Sequence, residues 1–447
     1  MILPDYVKRL IDLLESAGYE AYAVGGCVRD MLLGQEPYDY DITTSATPDE
    51  AKSALVGFSI HDTGLKHGTI TVVSPDGERE PTEVTTFRID GDYTDNRRPD
   101  SVIFTRELRD DLSRRDFTIN AMAFNERTGI VDFFGGQSDL KKKLIRAVGD
   151  PSKRFNEDGL RILRALRFAA AYEFDIEKNT AEAIHELCGL IDNISGERIA
   201  QELNKLVLGR VSPLLGDYSD VLSRFIPEAA SCRGFNQHNR FHDKDVLEHS
   251  LNAVDCAPKD KVTRLALLFH DLGKPFVFKK VEDERNPGEF RGSFKGHAAE
   301  STEIARKAMR RLKYDNDTYH KVLTLVKYHN IPIKPCKKAV KRLLNRFGEE
   351  QFFRLIDVHI ADDMSKAAGT QDRIPTFTKA AEIAREIIEE QSCFSLKQLA
   401  VKGGDLVELG YKGSEIGTKL NYLLQMVISE KCDNNKEDLL KLIIKRG

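Results

Sequence analysis

The stretch VGGCVRDMLLGQEPYDYDITTSA, Val24 to Ala46, holds a glycine pair, an Arg–Asp pair and two aspartates one residue apart. If Gly25 and Gly26 end a strand and feed a helix, their missing side chains let backbone amides approach an anion at the helix N-terminus, where the helix dipole also favours negative charge. Such a seat suits a triphosphate. Asp39 and Asp41 are two apart, so a strand through YDYDITT turns both carboxylates to one face, where they can hold hard divalent cations. Metal ions so placed activate an attacking hydroxyl and stabilise a leaving pyrophosphate. Glu83, in the strand-like TEVTTFR, is the candidate third carboxylate.

A second constellation lies further along. Eight of the 11 histidines fall between positions 238 and 359, among them His249, His270 beside Asp271, His297 and His329, and Asp362 follows. Imidazoles and carboxylates converging from several helices suit a transition-metal or Mg²⁺ site with an open position for a phosphate ester.

The elements that must position these groups change character along the chain. Up to about residue 145 a first helix mixes with strand-like runs, YEAYAVGG, FSIHDTG, GTITVVS, TEVTTFRI and AMAFNER, which predicts a mixed α and β domain. From about 153, segments such as GLRILRALRFAAAYEF and VTRLALLFHDLG carry apolar residues three and four apart, which predicts an almost wholly helical remainder. GRVSPLLGD, EDERNPGEFRGS and AGTQDRIP read as loops.

A chain of 447 residues, 41% hydrophobic, should form two to four domains with real cores. Its net charge of −4 hides local basic clusters, so the average does not exclude acidic partners. Seven scattered cysteines without a CxxC argue against a disulfide framework or a thiolate zinc site and for a reducing compartment. The N-terminal amphipathic helix lacks the apolar core of a signal peptide, and no run approaches a membrane span, so a cytoplasmic location is expected.

The first stretch resembles the opening motif of class II tRNA nucleotidyltransferases and bacterial poly(A) polymerases, GGxVRDxLLG followed by DxD, here Gly25, Gly26, Val28, Arg29, Asp30, Leu32, Leu33 and Gly34, then Asp39 and Asp41. The likeness continues in order through RRDFTINAMA (114–123), DFFGG (132–136), RFNEDGLRILRALRF (154–168) and ERIAQEL (197–203). It implies a polymerase-β-like nucleotidyltransferase head, a mixed sheet with helices, followed by an all-α neck, body and tail. The catalytic metal ions, Mg²⁺, would sit on Asp39 and Asp41 with Glu83 assisting. Arg29, Arg114, Arg115, Asp116 and Asn120 would bind triphosphate and ribose, with Asp116 the candidate for the 2′-hydroxyl.

The same resemblance makes Glu157, Asp158 and Arg161, with Arg164 beyond them, the nucleobase-reading motif. Asp158 and Arg161 are three apart, so on one helix they share a face and present an acceptor beside a fork of donors. Cytosine and adenine both offer an amino donor next to a ring-nitrogen acceptor, so one Asp–Arg pair reads both, while guanine and uracil face it with like partners. RIDGDYTDNRRPDSVIF (88–104) is similar to the family's flexible loop, with Asp95, Arg97 and Arg98 as its charged motif. That loop is shortened in enzymes that add only C.

Residues 240 to 370 resemble the HD superfamily of metal-dependent phosphohydrolases, with His249, His270, Asp271, His297, His329 and Asp362 as the implied ligands of a divalent metal. The expected domains are thus a head over 1–145, a neck and body over 146–239, an HD domain over 240–372 and a helical tail over 373–447. Lys334, Lys337, Lys338, Lys341, Arg342 and Arg346 recur at helical spacing, with Lys307, Arg310, Arg311 and Lys313 nearby, a stripe suited to a phosphate backbone or equally to a solvated face. The expected activity is template-independent addition of C and A from CTP and ATP to the 3′ end of tRNA. Its rivals are an A-only adder or poly(A) polymerase, an HD phosphohydrolase with an RNA-binding head, and a noncatalytic RNA-binding protein. Oligomeric state stays open.

Overall fold

The computed structural model describes residues 1–73, 81–91, 101–238, 243–282, 288 and 290–444. Its contacts divide the chain into two compact units, Met1–Pro227 and Glu228–Gly447.

In the first unit α1 (Asp5–Ser16) buries Val7, Leu10, Ile11 and Leu14, a three-and-four spacing that faces one side of a helix. There follow β1 (Ala21–Val24), α2 (Gly26–Leu32), β2 (Asp41–Thr44), α3 (Pro48–Ala54), β3 (Ser59–Gly64), β4 (Thr69–Val73), β5 (Thr82–Thr86), β6 (Arg88–Asp90), β7 (Val102–Phe104), α4 (Leu108–Ser113), β8 (Met122–Asn125), β9 (Gly129–Asp132) and α5 (Gly136–Lys142). The main sheet runs β3-β4-β5-β2-β1-β8-β9. It is mixed, because β2 and β5 run parallel while the remaining neighbours are antiparallel. Val24 pairs with Asp41 and Ile42 with Val84, so the end of β1, the start of β2 and Glu83 on β5 meet at one edge of the sheet. The strand-like runs of the sequence are β1, β3, β4, β5 and β8; β9, hairpin partner of β8, had no comparable signal.

A short parallel pair, β10 (Leu144–Ile145) and β11 (Asp175–Ile176), flanks α6 (Pro151–Glu157) and α7 (Leu160–Tyr172). Helices α8 (Lys178–Leu187), α9 (Gly196–Leu206), α10 (Ser212–Asp217) and α11 (Ser219–Phe225) complete the unit. The segment GRVSPLLGD, expected to be a loop, contains α10, because a proline in the first turn starts a helix as readily as it breaks one.

The second unit begins with α12 (Ala229–Cys232), α13 (Val246–Cys256), α14 (Lys261–Phe269) and α15 (Lys274–Val277). A hairpin of β12 (Lys279–Glu282) and β13 (Phe290–Ser293) precedes α16 (His297–Arg311), α17 (Asn316–Tyr328), α18 (Lys337–Phe347), α19 (Glu349–Met364) and α20 (Ile374–Glu389). Every residue of α14 from Val262 to Phe269 is buried, with α13, α16, α17 and α19 packed around it. The hairpin departs from the expected all-helical character and places β13 inside EDERNPGEFRGS, read as loop. Each strand carries a single large apolar residue, Val281 on β12 and Phe290 on β13, so neither showed an alternating apolar pattern. Helices α21 (Gly403–Glu408), α22 (Ser414–Ile428) and α23 (Lys436–Ile444) close over Leu406, Leu423, Leu424 and Leu439.

Candidate functional site

Between β1 and α2 the chain turns through Gly25 at φ 81°. A Cβ there would stand 2.8 Å from Nη1 of Arg115, so the turn needs glycine both for its dihedral and for the close guanidinium. Gly25 and Gly26 open onto a cleft of about 490 Å³ that also takes in Asp39, Asp41, Arg115, Asp116, Asn120 and Arg164. The aspartates converge there, though not as neighbours on one strand face: β2 starts only at Asp41, and Asp39 approaches from the segment before it.

Enclosure by the protein, then the charges of Asp39 and Glu83, raise Asp41 to about 6 against the opposing effect of Arg115. Asp39 and Glu83 thus both act on Asp41, a mutual repulsion that a divalent cation would relieve, although Glu83 is exposed and does not line the cleft. Arg115 is steered by Asp111 on α4, whose buried carboxylate accepts from Thr43 Oγ1 at 3.0 Å and lies 3.7 Å from Arg115 Nη2. Arg115 Nε is buried without a hydrogen-bond partner. Arg114 leaves the cleft: it donates to Asp111 at 2.7 Å and lines a separate cavity with Asp90, Arg154 and Glu157. Both guanidinium groups meet on Asp111, one at each carboxylate oxygen, but only Arg115 lines the cleft.

Asp116 is fully committed. Its Oδ1 accepts from Phe117 N–H at 2.8 Å and Asn120 Nδ2 at 3.1 Å, and its Oδ2 accepts from Arg164 Nε at 2.7 Å. Burial opposes ionisation, yet Arg164 and the Asn120 hydrogen bond hold the carboxyl well below the usual range. Arg29 is likewise occupied: Nε and Nη2 donate to Asp30, and Nη1 donates to Asn120 Oδ1 at 2.6 Å.

Asp158 and Arg161 do not share a helix face. α6 ends at Glu157, Asp158 is extended at φ −145°, and its Oδ1 accepts the N–H of Leu160 at the start of α7. An aspartate just ahead of a helix serves its first turn rather than continuing it. Asp158 Oδ2 pairs with Arg198 at 2.8 Å, and Arg161 pairs with Glu157 at 2.6 Å. Neither lines the cleft. The loop residues Asp95, Arg97 and Arg98 lie outside the described residues.

All six expected ligands of the second constellation come together. The ligand atoms of His249, His270, Asp271 and Asp362 lie within 4.8 Å of one another, as do those of Asp271, His297 and His329. The Nδ1 atoms of His270, His297 and His329 each donate to a backbone carbonyl three residues earlier, at 2.7, 2.8 and 2.7 Å. A carbonyl only accepts, so Nδ1 carries a proton and the Nε2 atoms turn to the centre, the usual device for aiming metal-binding histidines. Nε2 of His270 is buried without a well-directed hydrogen bond, and Nε2 of His297 faces Nε2 of His329 at 3.0 Å. Facing lone pairs call for a cation between them, so these residues fit a divalent metal. Burial resists charge on His270, yet Asp271 and Asp362 raise it to about 10; burial and the neighbouring His270 lower His329 to about 3.

Comparison with known proteins agrees with the cleft. The Poly A polymerase head domain matches residues 21–146, the probable RNA and SrmB-binding site of polymerase A matches 173–212, and the putative tRNA nucleotidyltransferase domain 2 matches 297–443. The CCA-adding enzyme of Lactobacillus helveticus (strain DPC 4571) is 34% identical over 448 residues, spanning 99% of this chain and 98% of that protein.

This chain belongs to the CCA-adding enzyme family. The CCA-adding enzyme of Lactococcus lactis subsp. cremoris (strain MG1363) is 50% identical over 200 residues, a match that spans 45% of this chain and about half, 49%, of that relative's length. Among solved structures, the Bacillus stearothermophilus CCA-adding enzyme in complex with CTP superimposes with a TM-score of 0.69 at 28% identity, covering 100% of this chain and 98% of that one. The head is accordingly a polymerase-β-like nucleotidyltransferase fold with a mostly helical remainder, and the chain is a nucleotidyltransferase.

Five residues of this CCA-adding family member line the cleft unforeseen from sequence: Arg167, Phe168, Ala171 and Tyr172 on α7 and Lys205 on α9. Arg164, Phe168 and Tyr172 recur every four residues, a spacing that reads equally as packing against a core. Of the basic stripe, Lys337 pairs with Glu390, Arg342 donates to Ser429 and Arg346 to Tyr328, contacts of a solvated face. No helix among the described residues is long and apolar enough to cross a membrane.

Proposed function

We propose that the chain adds C, C and A to the 3′ end of tRNA from CTP and ATP, without a nucleic-acid template, in the cytoplasm. The convergence of Asp39 and Asp41 with Gly25, Arg115 and Asn120 in one cleft carries this reading. Asp39, Asp41 and Glu83 would hold Mg²⁺, which when bound activates the 3′-hydroxyl of tRNA and stabilises the leaving pyrophosphate. Arg115 offers its guanidinium to the triphosphate beside the bare backbone of Gly25 and Gly26. Asp116 and Asn120 form a rigid wall for the ribose, braced from behind by Arg164 and Arg29. Asp158, held by Arg198, and Arg161, held by Glu157, read the amino group and ring nitrogen of C and A. In their apo pairing both are satisfied within the protein, so reading a base requires each to exchange or share its partner. Arg114 steadies Asp111 and through it Arg115.

The test is direct: tRNA ending before CCA, after C, or after CC is offered with labelled CTP and ATP separately, and the products are sized. An A-only adder extends the CC end alone, and a poly(A) polymerase extends past one A.

The second unit supports a further activity, a metal-dependent phosphohydrolase of the HD type over about residues 240–372, with a helical tail from 373. The converging Nε2 atoms of His270, His297 and His329 favour it. His249, His270, Asp271, His297, His329 and Asp362 would hold one or more divalent metals, which when bound supply a hydroxide for attack on a phosphate ester. Incubation of the metal-loaded protein with p-nitrophenyl phosphate or bis-p-nitrophenyl phosphate tests this reading.

A further inference from the structure

The α7 helix presents Arg164, Phe168 and Tyr172 to the nucleotide cleft at successive four-residue steps. Tyr172 Oη donates to Asp30 Oδ1 at 3.0 Å. Asp30 accepts Arg29 Nε at 2.8 Å, and Arg29 Nη1 donates to Asn120 Oδ1 at 2.6 Å. Asn120 Nδ2 donates to Asp116 Oδ1 at 3.1 Å, and Asp116 Oδ2 accepts Arg164 Nε at 2.7 Å. The chain of bonds therefore leaves α7 at Tyr172, crosses α2 and the segment after α4, and returns to α7 at Arg164, two turns away.

Arg29 sits inside this loop. Its guanidinium carbon lies 5.1 Å from the ring centre of Phe168 and 5.0 Å from that of Tyr172, and the residue is 7% exposed. All three of its nitrogens already serve Asp30 and Asn120, which makes it a brace between them at the border of the cleft. Buried hydrogen-bonded networks of this kind hold their members in one geometry, and losing one member loosens the others.

We infer that Tyr172 is a positioning residue for nucleotide selection: through Asp30 and Arg29 it fixes Asn120 and Asp116, the wall against which the ribose is recognised. The inference rests on the nucleotide reading of the cleft given above. It separates two roles that the cleft combines. The metal-binding carboxylates Asp39 and Asp41 are not part of the relay, so a loosened relay affects fit of the sugar more than the rate of transfer once the nucleotide is bound.

Tyr172→Phe keeps the ring against Arg29 and deletes only the hydroxyl. Steady-state addition of A to a tRNA ending in CC is measured with ATP and with dATP, and addition of C to a tRNA ending before CCA with CTP and dCTP, for the wild type, Tyr172→Phe, Asp30→Ala and the double variant. Expected for Tyr172→Phe is a rise in KM for ATP and CTP of about tenfold, as for a hydrogen bond to a charged group, with kcat changed far less and the preference for ribo- over deoxynucleotide reduced by a similar factor. The double variant should be no worse than Asp30→Ala alone, because Asp30→Ala already removes the acceptor of the Tyr172 hydroxyl. Unchanged ribo/deoxy ratios in Tyr172→Phe, or additive losses in the double variant, overturn the relay. A wild-type protein that extends no tRNA with either ribonucleotide overturns the nucleotide reading instead.

Discussion

The guanidinium of Arg115 rests on the backbone of Gly25, with its Nη1 2.8 Å from where a Cβ would be. Gly25→Ala therefore collides with the group that should meet the triphosphate and also forces alanine to a φ of 81°. Transfer is expected to fall more than a hundredfold, through kcat and KM together, while Gly34→Ala, where a Cβ meets nothing within 4 Å, keeps activity despite its own backbone strain. Steady-state kinetics on a tRNA ending in CC checks the contrast.

Asp39→Ala and Asp41→Ala should each reduce transfer below about a hundredth of wild type and leave tRNA affinity nearly unchanged. Metals act on charge developing in the transition state, whereas tRNA binding rests on phosphate contacts spread over the surface. Gel-shift affinity beside single-turnover rates separates the two effects. Survival of transfer above that level in either variant removes the metal assignment.

Asp41 also makes a stability prediction. Its carboxyl is raised to about 6 in the folded protein against the ordinary 3.8, so its contribution to folding is intact below pH 4, declines as the pH rises through 6, and stays lost above. Asp41→Asn should accordingly raise the melting temperature of metal-free protein at pH 7.5 more than at pH 4.5, and added Mg²⁺ should narrow that gap by stabilising only the wild type. Thermal unfolding in EDTA and in Mg²⁺ at both pH values is the check. An equal shift at both pH values in EDTA contradicts the assigned ionisation.

Asp158→Ala should lower C and A incorporation and relax the rejection of U and G, by about ten- to a hundredfold in the ratio, since one good base contact contributes about 1–3 kcal/mol of discrimination. The structure adds a control: Arg198→Ala frees the same carboxylate without removing it, and should lower incorporation while keeping the discrimination. Equal loss of all four nucleotides in Asp158→Ala makes it a residue of the α6–α7 junction only.

His270→Ala combined with Asp271→Ala should leave CCA addition largely intact and abolish metal-dependent phosphohydrolase activity, because the two constellations lie in separate units of the chain. Metal content of the purified variant, measured by elemental analysis, should fall in parallel. Loss of both activities in a protein that remains folded means that they depend on one site.

Much of the cleft was legible because its parts are short contiguous motifs with one chemical purpose each. Gly25 and Gly26 announce a turn, Asp39 and Asp41 reach the same cleft although only Asp41 is on β2, and the β2–β5 register sets Glu83 near Asp41 without placing it in the cleft lining. The clustering of the six histidines and aspartates was legible for a similar reason, since buried helices rarely carry so many imidazoles without use. What stayed hidden depends on direction rather than identity. Arg114 and Arg115 are adjacent and identical in type, and only the fold sends one to the cleft and the other away. Asp158 and Arg161 have a helical spacing, but Asp158 ends one helix and serves the next, which no periodicity reveals. Tyr172 joins the site through Asp30, 142 positions away, and a contact of that range has no local signature.

The choice between full CCA addition and addition of A alone turns on the C steps. If one Asp–Arg pair reads both bases, as proposed, moving from C to A requires the pocket to enlarge for a purine after the second C; the sequence of residues 90–98, of which 92–98 lie outside the described residues, is the candidate for that change. Deleting them should leave C addition and stop the A.

The most direct test is to give the wild-type protein Mg²⁺, CTP and ATP with a tRNA that ends at the discriminator base, and to sequence the product. Two Cs followed by one A is the predicted result. Failure to incorporate CTP on that end, under conditions where ATP extends a CC end, contradicts it and makes the enzyme A-adding.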